Sequence, residues 1–225
     1  DSLSYQRHQI VSTGKFTLNS TNNPNGIMGL TFSAHVPSGN TTTLSGTKRW
    51  WTDAAYATEG SAADPIADLI AMVETAQEKG IEGHFEVNKT YLTKILGHSK
   101  VVAAIGANLF PTATNSSAAA AYLSRAKKLE VLAEIVGAPI VEIDAKVATE
   151  VWNKTNKALE RKTIDAFEAN VVVFVPNGEI GEILTVEPIA IDGGTYATFY
   201  GGRLLMTVYV DAKYKCQSFN TEMTS

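Results

Sequence analysis

The sequence predicts an α+β fold, and three features carry this prediction. Apolar and polar residues alternate in residues 13–18 and 30–36, which is typical of paired β-strands. In residues 64–79 the apolar residues recur at spacings of three and four, as in an amphipathic helix. Residues 171–175 form a continuous apolar run of strand length. With 225 residues, 44% of them hydrophobic, the chain is long enough to bury a sizeable core.

The first two strands predict a long β-hairpin. Phe16 and Leu18 fall on one face of the outgoing strand, and Leu30 and Phe32 alternate in the same way on the returning strand. The connection, residues 19–29, is rich in Asn, Ser, Thr, Pro and Gly, which favour turns. An isolated ribbon with few bulky apolar residues is marginally stable in water. We therefore expect this hairpin to need a partner surface, such as another subunit.

Arg49, Trp50 and Trp51 follow a second polar stretch, residues 37–48. Tandem tryptophans are large apolar side chains that anchor a core. Trp and Arg are also the residue types that dominate binding hot spots. Core packing is the favoured interpretation, and an interface role stays open beside it.

Local signals place the remaining helices and strands. Asp64 and Pro65 predict a helix start, because the carboxylate accepts from unpaired amides and proline at the first position loses no hydrogen bond. Gly80 is the predicted end of this helix. The other predicted elements are a strand at residues 84–87, a helix capped by Asn88 and ending at Gly97, an Ala-rich helix from Ser116 or Ser117 to Val136 ended by Gly137, a strand at residues 139–144, a hairpin of residues 171–175 and 180–186 around Asn177-Gly178, and a strand at residues 204–210.

No pattern in the sequence predicts catalysis, a cofactor or a metal site. The glycine fingerprints of nucleotide-binding loops are absent, and the 4 histidines are scattered beside a single cysteine, Cys216. Glu142 and Asp144 point to one face of a predicted strand, as an acid/base pair does, but Lys146 nearby favours a solvated face. The formal net charge of -4 predicts no strong attraction to nucleic acid. We therefore expect no enzyme, cofactor or metal, and the lack of a long apolar run predicts no membrane association.

Three motifs, taken in order, carry a resemblance to a known family. Thr13-Gly14-Lys15-Phe16-Thr17 opens the hairpin, Trp51 followed by Ala63-Asp64-Pro65-Ile66-Ala67-Asp68 opens the long helix, and Val175-Pro176-Asn177-Gly178-Glu179-Ile180-Gly181 forms a later turn. Together they resemble the major capsid proteins of lambda-like tailed phages, the E-type coat family. The motifs span most of the chain.

The resemblance implies the tailed-bacteriophage major capsid fold. Residues 1–50 are then an N-terminal remnant, whose usual arm is largely missing, and the extended hairpin loop that lies across a neighbouring subunit. Residues 51–100 become the peripheral domain with its spine helix. Residues 101–200 are mainly the axial α/β domain, and residues 201–225 return as a strand to the peripheral domain.

The function implied is self-assembly into hexamers and pentamers of an icosahedral phage or prophage head. The shell encloses double-stranded DNA without sequence-specific binding, and scaffolding, decoration and portal proteins are further expected partners. The expected location is the virion capsid, assembled in the bacterial host cytoplasm. The residues expected at the subunit interface are Lys15, Phe16, Leu18, Leu30, Phe32, Arg49, Trp50 and Trp51.

Two other functions stay open at this point. An encapsulin-like compartment shell shares the implied fold but encloses protein cargo. A monomeric binding or adhesion module fits the Thr-, Ser- and Asn-rich loops and the tandem tryptophans. An enzyme is a more distant alternative, supported only by the α/β alternation between residues 84 and 144, which does not indicate any chemistry.

Overall fold

The computed structural model shows a mixed α+β fold. It describes residues 2–22, 28–34, 36–153, 155, 157–178, 195–201, 204–211 and 216–223. The chain divides into two compact units, Asp1–Gly178 and Glu179–Ser225. The assignment of the predicted segments to peripheral and axial domains stays a prediction.

The elements of the first unit alternate between helices and short strands. In chain order they are α1 (Ser2–Thr13), β1 (Lys15–Thr17), β2 (Thr31–Ser33), α2 (Pro65–Glu78), β3 (Gly83–Asn88), α3 (Lys89–Ile95), α4 (Ser99–Leu109), α5 (Ser116–Ala121), α6 (Arg125–Val136), β4 (Ile140–Ile143), β5 (Lys146–Asn153), β6 (Ala158–Asp165) and β7 (Val172–Pro176). In the part of the chain that the structure describes, no helix has the length and hydropathy needed to span a membrane.

The core lies around a sheet with the order β4-β3-β7. The central strand β3 runs parallel to β4 and antiparallel to β7. Its residues Phe85 and Val87 are fully buried, and Phe85 packs edge-on against Phe174 of β7 with ring centroids 5.1 Å apart. Helices α2, α4 and α6 contact one another and contribute Leu69, Val73, Val101, Ile105, Val131 and Leu132 to the same core.

Helix α2 confirms the start predicted from Asp64 and Pro65. The Asp64 carboxylate accepts a hydrogen bond from the Ala67 amide at 3.2 Å, and Pro65 occupies the first turn. Gly80, with a φ of +69°, follows the last turn in the left-handed region that glycine favours. The Asn88 cap is also confirmed, because its side chain accepts from the Thr90 amide at 2.8 Å.

Helix α1 was not predicted, and Thr13 lies in it instead of beginning a strand. The helix docks through polar contacts as well as ring packing. Arg7 pairs with the buried Glu86 at 3.3 Å, Gln9 donates to the Ala166 carbonyl at 2.7 Å, and the Ser12 hydroxyl accepts from the Glu168 amide at 3.2 Å. The sequence of α1 has no apolar stripe, so no periodicity marked the helix.

The single Ala-rich helix predicted up to Val136 is wrong, because the structure breaks it into α5 and α6. Ser124 caps the second helix by accepting from the Lys127 amide at 3.3 Å. The chain turns at Tyr122, whose side chain is 91% exposed. Ala propensity favours a continuous helix, but the serine cap competes with it at this position. The predicted stop at Gly137 is confirmed by its φ of +81°.

Strands β4 and β7 confirm the predictions at residues 139–144 and 171–175. Strands β5 and β6 form an antiparallel ribbon that was not predicted. The second strand of the late hairpin, residues 180–186, lies outside the described residues. The second unit contains β8 (Thr195–Gly201), β9 (Leu204–Asp211) and β10 (Cys216–Met223) in the antiparallel order β10-β9-β8, and β9 matches the strand predicted at residues 204–210.

Candidate assembly interface

The predicted hairpin is present, and its paired part is short. Phe16 of β1 lies opposite Phe32 of β2, and beyond the strands the Leu18 amide donates to the Leu30 carbonyl at 2.8 Å. At the base, the Ala34 amide donates to the carbonyl of Gly14 at 2.8 Å. Gly14 has a φ of +70°, and a Cβ there would lie only 2.9 Å from a side-chain methyl group of the returning segment. This position therefore requires glycine for both its backbone conformation and its close approach to that segment.

Phe16 is only 5% exposed and is buried within its own chain. Tyr5 of α1 packs edge-on against it with ring centroids 5.9 Å apart, and Phe32 stacks on it at 6.4 Å. Phe16 therefore fixes the base of the hairpin to α1. In this arrangement it offers little surface to another molecule.

The returning segment presents an apolar surface that we call the arm face, formed by Met28, Leu30, Phe32 and Val36. Their side chains are 53%, 47%, 52% and 49% exposed, respectively. Leu30 and Phe32 lie two positions apart, the spacing that places side chains on one face of an extended chain, whereas the chain bends at Gly29, whose φ is +83°. Lys15 is exposed at the base of the same hairpin, and Leu18 is half-buried. Met28 was missed as a candidate residue, although continuing the alternation back from Leu30 reaches it.

Asparagine side chains shape the chain after β1. Asn19 Oδ1 accepts from the Thr21 amide at 2.8 Å and from the Asn22 amide at 3.1 Å, and Asn22 Oδ1 accepts from the Asn19 amide at 2.8 Å. These bonds explain why residues of this type favour a turn. The Thr149 hydroxyl of β5 donates to the Thr21 carbonyl at 3.3 Å, so this segment also contacts β5.

Trp50 belongs to the core and Arg49 to the surface. Trp50 is 6% exposed, stacks on Tyr91 with ring centroids 6.1 Å apart, and donates its indole N–H to Asp68 Oδ2 at 2.6 Å. Arg49 is exposed beside it. A Cβ on Gly60 would lie 2.1 Å from the Arg49 carbonyl oxygen, so only glycine allows the two backbones to approach here. Trp50 therefore packs as the favoured interpretation requires.

Trp51 is half-buried and lies against His98, with ring centroids 5.3 Å apart. His98 is 1% exposed and caps α4 by accepting from the Lys100 amide at 3.2 Å. Glu59 accepts from the Ser99 amide at 2.7 Å and from the Ser99 hydroxyl. Burial opposes the charged form of Glu59, but these hydrogen bonds lower its pKa below the ordinary value. Trp51 therefore packs at the junction of α3 and α4, while Trp50 packs against α2 and α3, and these contacts involve no residue of the arm face.

Two buried histidines predict acid sensitivity. Burial lowers the pKa of His98 despite the nearby Glu59, and burial followed by Arg7 lowers the pKa of His8 despite Glu86. The unfolded chain therefore binds more protons below about pH 6.5, and the free energy of unfolding should fall as pH drops from about 7 to about 5. The slope should reach at most about 1.4 kcal/mol per pH unit for each histidine.

Urea unfolding at about pH 7 and about pH 5, on either side of the ordinary histidine pKa, measures this effect. The control variant is His98→Asn, because asparagine is a good helix cap and does not titrate. It should reduce the loss of stability between the two pH values. If the variant loses as much stability between the two pH values as the wild type does, His98 does not cause the acid sensitivity.

The carboxylates considered as an acid/base pair lie in ion pairs. Asp144 pairs with Lys89 at 2.5 Å and with Lys146 at 3.9 Å, while Glu142 pairs with Arg125. The hydrogen bond from Lys89 lowers the pKa of Asp144, and the same bond raises the pKa of Lys89. Each carboxylate therefore has cationic partners on the surface, as the presence of Lys146 suggested.

Within the described ranges, no group of at least 3 His, Cys, Asp or Glu side chains is arranged to hold a metal ion. The chain matches no protein-family model and no curated protein. The arm face is therefore the candidate functional site.

Proposed function

We propose that this chain is the major capsid protein of a tailed phage or prophage, a coat subunit that assembles into hexamers and pentamers. The observation that carries the proposal is the arm face. Its four apolar side chains are each about half exposed on the returning segment of the hairpin. Apolar side chains that recur along one ribbon are costly to leave in water, and a partner surface relieves that cost.

The order of the motifs supports this proposal. The hairpin with Phe16 opposite Phe32, the helix α2 that begins after Asp64, and β7 with Gly178 beyond it occur at the positions of the three motifs that resemble the coat family. In that family the hairpin lies across a neighbouring subunit. The arm face is the surface of this chain that fits such a contact.

The energetics of a shell suit an interface of this size. Full burial of a large apolar side chain stabilises by about 1.5–3 kcal/mol, so a half-exposed one contributes about 1 kcal/mol. A few such contacts give weak pairwise binding. A closed particle repeats them around every capsomer, and multivalency then makes the whole assembly stable. With a formal net charge of -4, the subunit does not attract enclosed DNA strongly.

Shortening the hairpin tests this function. Leu18 and Leu30 are joined by a backbone hydrogen bond, so Asn-Gly in place of residues 19–29 closes the ribbon with a two-residue turn. We expect capsomers and particles to disappear from size-exclusion and electron-microscopy assays while the circular dichroism of the monomer persists. The control is Ser20→Ala, which keeps the loop length and should assemble normally.

Undiminished assembly of the shortened chain would contradict the proposal. The contents of purified particles separate the phage head from a compartment shell. A phage head encloses nucleic acid, and an encapsulin-like shell encloses protein.

A further inference from the structure

The ribbon formed by β5 and β6 is a second extended element, distinct from the arm face. Its 8 residue pairs run without interruption from Lys146 opposite Asp165 to Asn153 opposite Ala158. Strand β6 is exposed along its length except at Ile164, which is half-buried. A two-stranded ribbon in which one strand has so little cover is marginally stable in water by itself.

The edge of β6 that faces away from β5 is the edge to which a further strand could be added. Among the described residues, β5 is the one strand that pairs with β6. The continuous register contains no bulge, and β6 contains no proline, so two common devices that protect sheet edges are missing. Backbone amides and carbonyls along an edge of this kind can pair with another extended strand.

The charges along β6 distinguish the registers in which it could pair with β6 of a second copy. A two-fold axis perpendicular to the ribbon keeps the same face upward in both copies. Opposite residues share a face, so only residues separated by an even number of positions can lie opposite each other. A register centred on Arg161 or Lys162 places like charges together, which is destabilising.

Centring the register on Thr163 has a different result. It places Arg161 of each chain opposite Asp165 of the other, and Thr163 opposite its own copy. Both pairings are favourable across strands. No other register centred on a residue of β6 sets opposite charges against each other without also setting like charges together.

We propose that β6 is a contact between two copies of this chain, which join their ribbons antiparallel about Thr163 into a continuous four-stranded sheet. This contact goes beyond the proposed docking of the hairpin, because it uses a different element and a two-fold arrangement. In a shell it adds a symmetric link between subunits.

A cysteine placed on the symmetry axis tests the register. In a Cys216→Ala background, Thr163→Cys should form a disulfide-linked dimer under mild oxidation. Opposite residues in antiparallel strands have Cα atoms about 4.5–5.5 Å apart, within disulfide range. Leu159→Cys, on the same exposed strand but away from the axis, is the control and should cross-link at most about one-tenth as fast. Equal cross-linking at both positions would overturn the register.

A charge exchange tests the contact itself. Arg161→Asp and Asp165→Arg should each weaken self-association about tenfold or more, because each sets like charges together twice. A mixture of the two single variants should regain association, since every pair in the mixed dimer is again opposite in charge. Arg161 also lies opposite Glu150 of β5 in the same chain. If the substitution weakened self-association only by removing this pair within one chain, mixing the two variants would not restore association.

Both tests are made on a chain that also carries Met28→Asp and Leu30→Asp, which removes assembly through the arm face. Cross-linking is followed by the fraction of disulfide-linked dimer, and the charge exchange is followed by sedimentation velocity. Failure of the mixed variants to associate would overturn the β6 contact and leave the hairpin proposal standing. The opposite result is also informative. If the chain with an unmutated hairpin builds no particle but still dimerises through β6, the proposed shell function is contradicted and the β6 contact stands.

Discussion

Replacing Met28 and Leu30 by aspartate is expected to abolish particle formation while the monomer stays folded. Both side chains are about half exposed, so the charge they acquire remains solvated in the monomer. Substitutions at such positions usually change stability by less than about 0.5 kcal/mol. In a docked arm the same carboxylates are removed from water without a partner, which costs several kcal/mol for each contact.

Size-exclusion chromatography with light scattering measures the assembly, and thermal unfolding measures the monomer. Tyr122→Asp is the control, because it introduces one carboxylate of the same kind at a side chain that is 91% exposed between α5 and α6. The control should assemble as the wild type does. If both variants assemble equally well, the arm face is not the contact that we propose.

Trp50→Ala is expected to lower the free energy of unfolding of the monomer by about 3–5 kcal/mol. The substitution removes a buried indole from its stack on Tyr91 and leaves Asp68 without the 2.6 Å hydrogen bond from the indole. This is a large share of the about 5–15 kcal/mol that typically stabilises a domain. Denaturant unfolding of the monomer measures it directly.

Arg49→Ala is the neighbouring control, because Arg49 is exposed and its removal leaves no cavity. We expect its unfolding midpoint to stay near that of the wild type. The comparison separates the two interpretations of this segment. Normal monomer stability combined with lost assembly in Trp50→Ala would make Trp50 an interface anchor instead of a core residue.

Elements with local signals were predictable from the sequence. Helix α2 carries its cap at Asp64, its proline at the first position and its glycine beyond the end, so nearby residues determine its bounds. The same holds for the helix capped by Asn88 and the stop at Gly137. Strand β7 was predictable because its sequence is a continuous apolar run, which is typical of a strand that packs in a protein core.

Elements that depend on distant partners were missed. Helix α1 is held by residues such as Glu86 and Ala166, which lie 79 and 157 positions away from Arg7 and Gln9, and its own sequence lacks an apolar stripe. The ribbon of β5 and β6 is largely exposed along β6, so no burial pattern marked that strand. Sequence alternation alone therefore does not identify strands that have no core face.

The candidate interface was predictable in part for the same reason. Alternation located Leu30 and Phe32, which are exposed on the arm face. It also predicted an interface role for Phe16, but Tyr5 of the unpredicted helix α1 covers this side chain. Which apolar residues of a ribbon remain exposed depends on what packs behind it, and in this chain that cover is provided by a helix without a sequence signal.

A cryo-electron microscopy map of particles formed by the wild-type protein tests the central claim most directly. The account predicts a closed shell in which Leu30 and Phe32 of each subunit lie against a neighbouring subunit. A protein that remains monomeric at high concentration, or a map in which the arm face packs on its own subunit, would contradict it.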